Sequence, residues 1–489
     1  MTPFVEEMSP APDPVRCCEA LEGLPYRLFL DSASTASRFG RYSFLTADPV
    51  AIVRSRGVEV ECLDLRTGAR REISGDPLVA LRELVLPYAA EPVSGLPPFQ
   101  GGAAGYVAYD WGLTLERLPA PRYDDLGLPD LVLGLYDWVI AWDHESSRAW
   151  VISTGIPERT ADARRVRAAS RAAFVKQRLG TRDSGFGIRD SGLGIRDSRS
   201  RPPSFAVERG WWTPSFQLRS SFPRESYLAA VQRVRDYIFA GDIFQANLSQ
   251  RFEAATTEPA WSFYTRLRRR NAAPFAAFLD FPEVTVVSAS PERFLRVDAH
   301  GHVETRPIKG TRRRGVGPEH DAALGQALAE SAKDRAENLM IVDLMRNDLS
   351  RVCKPHSVRV SELFSLEHYA TVHHLVSTVV GELSPGADAI DLLRAAFPGG
   401  SITGAPKLRA MEVIAELEPS RRGVYCGSIG YWSVTGELDT SIAIRTAIVQ
   451  DGRVYFSAGG GIVADSDPQQ EYMETLDKAR AMIDALADR

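Results

Sequence analysis

In the second half of this 489-residue chain, short runs of alternating apolar and polar residues come in bunches, separated by long segments with a 3.6-residue apolar period. No regular strand–helix–strand beat joins them, which points to an α+β fold and away from a doubly wound parallel sheet. The spacing predicts strands over 276–281, 284–288, 294–297 and 303–308, and a strand-rich stretch over 424–456. A helix is predicted over 225–240, with Leu228, Val231, Val234 and Ile238 on one face and Gly241 as its stop. Further helices are predicted over 322–347, with a break near 332–333, over 406–417 and over 468–486.

Residues 24–150 read as shorter β segments, among them 26–30, 58–63 and the apolar run 131–142, which Gly134, Asp137 and Trp138 interrupt. A polar, Ala/Arg-rich helix is expected over 158–178. Next, RDSGFGI at 182–188 repeats as RDSGLGI at 189–195 and starts again at 196–198. Two glycines per repeat argue against a coiled coil, since each costs ~1 kcal/mol in a helix. Residues 180–205 are therefore expected to be a disordered insertion without a catalytic role. The chain is too long for a single core, so the expected organisation is a β-rich region over 1–178, a linker over 179–215 and a catalytic unit over 216–489.

A net charge of -5 gives no support for binding nucleic acid or an anionic membrane, and no apolar run approaches the ~20 residues of a bilayer span. The acidic, Pro-rich N-terminus lacks the features of a signal peptide. Five scattered cysteines form no CxxC zinc motif and imply no disulfide framework, so a cytoplasmic location is expected.

Residues 334–348 read DRAENLMIVDLMRND. At about 100° per residue, Glu337 falls on the face of Met340, Ile341 and Leu344. A lone carboxylate is costly to bury and is expected to be neutralised, paired or bound to a metal. Asp334 precedes it by three residues, and Glu471 and Glu474 repeat that spacing, which puts both members of a pair on one helix face. Mg²⁺ takes one or two carboxylates together with water and substrate oxygens. Glu474 has a plainer alternative, an ion pair with Lys478 at i+4. Lys309, in a short turn-bounded strand, would by itself read as a solvated lysine, and His374 as a hydrogen-bonded structural histidine beside Val372 and Val376. The segments GGSITGAPK (399–407) and SAGGG (457–461) offer close backbone approach to an anion, or simply tight turns. HExxH, GxGxxG, the P-loop and G-x-S-x-G are all absent, and no cysteine sits in a glutaminase nucleophile elbow.

PIKGT (307–311), DRAENLMIVDLMRND, GGSITGAPKLRAME (399–412), GYW with GELDT and RT (430–446), AGGGIVADSDPQQEYMET (458–475) and the final amphipathic helix occur in the order of one family. Together they resemble the chorismate-utilising enzymes: the component I chains of anthranilate synthase and aminodeoxychorismate synthase, and the isochorismate and salicylate synthases. The resemblance is strong over about 222–485 and weaker over about 15–150. It implies two β-sheets packed as a sandwich and wrapped by helices, as in anthranilate synthase component I, with the site between the sheets.

Within this family, Gln245 matches the lysine that activates water in isochorismate-type members, so amination is expected here. Lys309, where anthranilate synthases usually have Ala, resembles the nucleophile of the aminodeoxychorismate synthases, with Thr311 in the same motif. An attacking amine must be unprotonated, which requires burial or a neighbouring cation. The resemblance places Mg²⁺ between the substrate's ring carboxylate and Glu337 and Glu474, with Asp334 and Glu471 in its water shell. It places Gln245, Ser401, Thr403, Tyr431, Arg445, Gly459, Gly460, Gly461 and Lys478 at the substrate, and gives His374 an acid–base role. Chorismate, ammonia and a separate class I glutamine amidotransferase subunit are the implied partners, since no amidotransferase domain follows the last helix. Asp31, Ser32, Arg41, Tyr42 and Ser43 match the family's tryptophan-binding region, with Asp in place of Glu. The alternatives are amination at C2 with pyruvate release, as in anthranilate synthase, and a non-catalytic ligand-sensing subunit.

Overall fold

The computed structural model of the protein describes residues 2–34, 39–180, 201–207, 216–369 and 372–487; the 182–198 repeat lies outside them. Among the described residues two antiparallel sheets form, of thirteen and twelve strands. Both halves of the chain contribute to each sheet. Arg27–Asp31 pairs with Phe275–Asp280 in the first, and Gly102–Val107 pairs with Ser428–Ser433 in the second. The expected boundary between a 1–178 region and a 216–489 unit therefore does not divide the molecule into separate cores. Either half alone would expose a long unpaired sheet edge.

The sheets pack face to face with helices outside them. Along the first sheet Leu28, Phe44 and Val139 point to the inter-sheet layer, whereas Phe29, Leu45 and Ile140 point to the helices. The second sheet buries its outer face under Pro77–Val85, Ala332–Ser350 and Ala389–Ala396. Because both faces are covered, the run 131–142 is apolar throughout. It is two strands, Leu131–Tyr136 in the second sheet and Trp138–Asp143 in the first, with Asp137 at the crossing. The buried Asp137 carboxylate is held by Arg167 at 2.9 Å and Arg171 at 3.2 Å.

The predicted helix over 322–347 is two helices, Pro318–Glu330 and Ala332–Ser350, parted at Ser331, whose side chain accepts from the Asp334 amide. The expected strand 303–308 ends at Thr305, and a new one, Ile308–Arg313, starts after Pro307, which has no N–H for the ladder. No helix among the described residues is long and apolar enough to cross a membrane.

Candidate active site

A bulge delivers Lys309 to the site. Ile308–Arg313 pairs with Val372–Glu382, and between the Ile308–Val376 and Thr311–His374 pairs it carries an extra residue. Gly310 takes φ 89° there, and a Cβ in its place would meet Asp334 and Leu328 at 3.0 Å, so the bulge and the approach of the helix both need glycine. Lys309 is 9% exposed and its Nζ donates to the Ser401 carbonyl at 2.8 Å; it is not a solvated lysine. Burial pushes its pKa down and Lys478 adds to that, against the opposing pull of Glu337, Glu292 and Glu474.

The segment 457–461 is not a turn. It lies inside the strand Arg453–Ile462, paired with Gln245–Ala255. A Cβ on Gly461 would stand 2.1 Å from Gln245 Nε2 and 3.5 Å from Lys309 Nζ, so the three residues converge. A Cβ on Gly460 would meet carboxylate oxygens of Glu471 at 3.0 Å and Glu474 at 3.1 Å, both on the covering helix Pro468–Ala487. Lys478 from the same helix donates to the Gly459 carbonyl at 2.8 Å and pairs with Glu474 at 2.6 Å, the plainer alternative named for that residue.

The buried stripe of Ala332–Ser350 runs through Asn338, Ile341, Val342 and Met345, so Glu337 borders the stripe and does not lie within it. Its side chain is still mostly buried. Burial raises its pKa, as do Asp334 and Glu474, while Lys309 and Lys333 oppose the shift. Burial and Glu474 likewise raise Glu471, which accepts from Ser466 at 2.6 Å. Asp334 pairs with Arg312 at 2.9 Å. Among the described residues no three acidic, His or Cys side chains form a metal-binding group. The donor set nevertheless fits Mg²⁺: all its donors are oxygens, and the repulsion that adds to burial in favouring protons on Glu337 and Glu471 would equally favour a hard dication that takes the rest of its ligands from water and substrate.

Glu292 completes the group, and sequence reasoning missed it. It follows Pro291 in what reads as a polar connection between strands, yet it is 3% exposed, accepts from the Ile308 amide at 3.4 Å and bonds the Ser401 side chain. Burial pushes its pKa up to about 7. Across the site, the Thr311 hydroxyl bonds His374 Nδ1 at 2.8 Å, and burial together with Arg445 pushes that imidazole down to about 3, so it is neutral at pH 7. Arg445 has no carboxylate partner among the described residues; its guanidinium donates to Asn271 at 3.3 Å. A half-buried guanidinium with no carboxylate partner among the described residues, beside a neutral histidine, suits an anionic ligand.

Residues 38–484 match the chorismate binding enzymes. The chain belongs to that family. Among curated relatives, it is 44% identical to aminodeoxychorismate synthase component 1 of Salmonella typhimurium over 465 residues, 95% of this chain and 93% of the relative. It is 40% identical to anthranilate synthase component 1 of Cereibacter sphaeroides over 468 residues, covering 94% and 89%. Among solved structures, anthranilate synthase component I of Streptococcus pneumoniae superposes with a TM-score of 0.76 at 34% identity, covering 91% of this chain and 92% of that one. The family fold of two antiparallel sheets wrapped by helices is the one found here.

Some residues expected at the family's substrate site lie elsewhere. Tyr431 is not near Lys309: the strands Val372–Glu382, His302–Thr305, Arg293–Val297 and Leu438–Ile442 stand between the strands that carry them. It instead stacks on Phe99 at 4.6 Å and lines a second cavity, of about 300 Å³. An aromatic in an all-buried strand gives no sequence signal for which cavity it faces. The Thr403 hydroxyl is taken by the Gly399 and Gly400 carbonyls. Asp31, Ser32, Arg41 and Tyr42 line the second cavity together with Tyr431. Asp31 is engaged by Arg268 at 2.5 Å and Tyr264 at 2.8 Å, and Arg41 by Asp143 at 2.9 Å. Ser43 is not among the lining residues; its hydroxyl bonds His144 at 2.8 Å.

Proposed function

We propose that this family member aminates chorismate at C4, giving 4-amino-4-deoxychorismate for para-aminobenzoate and folate synthesis. The observation that carries the reading is a buried Lys309 amine, lowered in pKa and aimed by a bulge at the Gln245–Gly461 face. The neutral amine adds to C2. The ring double bonds shift toward C4, and the C4 hydroxyl leaves as water with a proton. Glu292, with a pKa of about 7 beside Lys309, is suited to give that proton. Ammonia then bonds C4, the double bonds shift back, and the C2–N bond breaks with its electron pair returning to Lys309. We assign Arg445 to a carboxylate of the substrate, and the neutral His374, hydrogen-bonded to Thr311, to acid–base assistance. Mg²⁺, held by Glu337 and Glu474 with Asp334 and Glu471 reached through water, would supply Lewis-acid pull on the ring carboxylate.

The relatives named component 1 support a second component, which we take to be a class I glutamine amidotransferase that delivers ammonia in the cytoplasm. The second cavity matches the family's tryptophan pocket, and we keep it as a ligand site of that kind. The test is mass spectrometry of the product from chorismate, ammonium and Mg²⁺. Aminodeoxychorismate without pyruvate is expected, and Lys309→Ala should abolish it while the protein stays folded. Anthranilate with pyruvate would establish amination at C2 instead. Unchanged C4 amination by Lys309→Ala would end the covalent role.

A further inference from the structure

Two residues outside the site converge on it from behind. Arg422 and Glu418 are both buried, at 2% and 5% side-chain exposure, and form an ion pair at 2.7 Å. Such a pair is costly to desolvate, and a hydrophobic pair of similar volume would often serve folding as well. What this pair adds is its remaining hydrogen bonds. Arg422 donates to the Ile402 carbonyl at 2.9 Å and to the Asn247 carbonyl at 2.6 Å. Glu418 accepts from both the amide and the hydroxyl of Ser249 at 2.8 Å. One end of the pair thus holds the turn whose preceding residue, Ser401, accepts from Lys309 Nζ and bonds Glu292. The other end holds the strand that begins at Gln245. The Asn247 amide donating to the Thr403 carbonyl at 2.7 Å ties the turn and the strand together.

We propose that Arg422 is a positioning residue for the amination. Its planar fork bonds Ile402 and Asn247 at once, and so sets the Ser401 carbonyl, and through it the Lys309 amine, at a fixed offset from Gln245. A lysine has a single nitrogen head and cannot bridge two carbonyls and a carboxylate in this geometry. The proposal rests on Lys309 acting at C2, but its test can fail separately from that reading.

Three proteins carry the test: Arg422→Lys, the double variant Arg422→Met/Glu418→Leu, which removes both buried charges together, and the unaltered chain. In the double variant, melting temperature should stay close to the parent and KM for chorismate should change less than about 3-fold, while kcat with ammonium falls about 10- to 100-fold, the cost of a small misplacement of a reacting group. Arg422→Lys should recover part of kcat. Acylation of Lys309 by acetic anhydride, quantified by mass spectrometry against Lys354, should change at least about 3-fold in the double variant; this readout needs no turnover and stands whichever carbon is aminated. If the double variant does not fold, a smaller fall in kcat with a change in Lys309 acylation in Arg422→Lys, at unchanged KM, decides the matter. A folded variant with parental kcat and Lys309 acylation, or one losing kcat and affinity together, would overturn the proposal.

Discussion

At the scale of single residues, the site depends on groups that are buried without being inert. The Lys309 amine and the Glu292 carboxyl are each shifted toward neutrality by burial, in a pocket that also holds the neutral imidazole of His374. Of these, the Glu292 carboxyl, at about 7, exchanges its proton near neutral pH, whereas a solvated glutamate would be locked in the charged form. Gly461 is the residue most exposed to a one-atom change. Its Cβ would displace the Gln245 amide beside Lys309, and Gln245 is 1% exposed, with little room to move. Gly461→Ala should therefore fold normally yet lose roughly 10- to 100-fold in kcat/KM. Steady-state kinetics beside a circular dichroism melt would check this, and a parental kcat/KM would show that the crowding is absorbed.

At the scale of elements, the helices Ala332–Ser350 and Pro468–Ala487 each bring two carboxylates to the same opening. Without a cation, burial and repulsion raise Glu337 and Glu471, so this arrangement costs stability. Glu337→Gln should hold the melting temperature or raise it slightly in chelator-treated protein. Added Mg²⁺ should reverse the order, because binding at 100 times Kd stabilises the parent by about 2.7 kcal/mol while the amide variant gains little. Differential scanning fluorimetry with and without Mg²⁺ reads this directly. An equal Mg²⁺ shift in both proteins would remove Glu337 from the ligand set. The bulge at Lys309–Gly310 belongs to this scale too, since neither the register nor the helix alone would aim the amine.

At the scale of the whole molecule, a buried charge cluster joins the N-terminal segment to the catalytic one. Arg421 pairs with Asp124 at 3.0 Å and Asp130 at 2.5 Å and stands 3.6 Å from Asp110. Burial raises Asp110 from 3.8 to about 6. The folded carboxyl thus keeps its proton up to about pH 6, whereas the unfolded one releases it near pH 4. Asp110 accordingly costs stability above pH 6, by about 2–3 kcal/mol, and the cost fades as pH falls toward 4. The difference in stability between Asp110→Asn and the parent should therefore shift in favour of the variant as pH rises from 4 to 8. Urea titrations across that range would test it, and a pH-independent difference would mean that Asp110 titrates normally.

The sequence by itself determined the elements and the family. Apolar periodicity placed the long helices to within a few residues, including the break at Ser331, and the motif order identified chemistry that no single motif carried. Lys309, Glu337 and Glu474, which the structure brings together, could be singled out in the sequence because they stand in those motifs. Glu292 could not be, because a glutamate after a proline looks like a surface turn until strands from both sheets close over it. The burial of Arg422 was equally hidden, since nothing in its local sequence marks one of two consecutive arginines as buried. Tyr431 was placed at the substrate by motif resemblance, yet its ring lines the cavity of Asp31 and Arg41; a strand buried on both faces shows no alternation to say which way a ring points. Tertiary structure alone decided the interleaving of the two chain halves, the bulge that aims Lys309 and the protonation of the buried acids. These depend on which strand lies beside which and on how much water is excluded, and both are set by contacts between residues far apart in the chain.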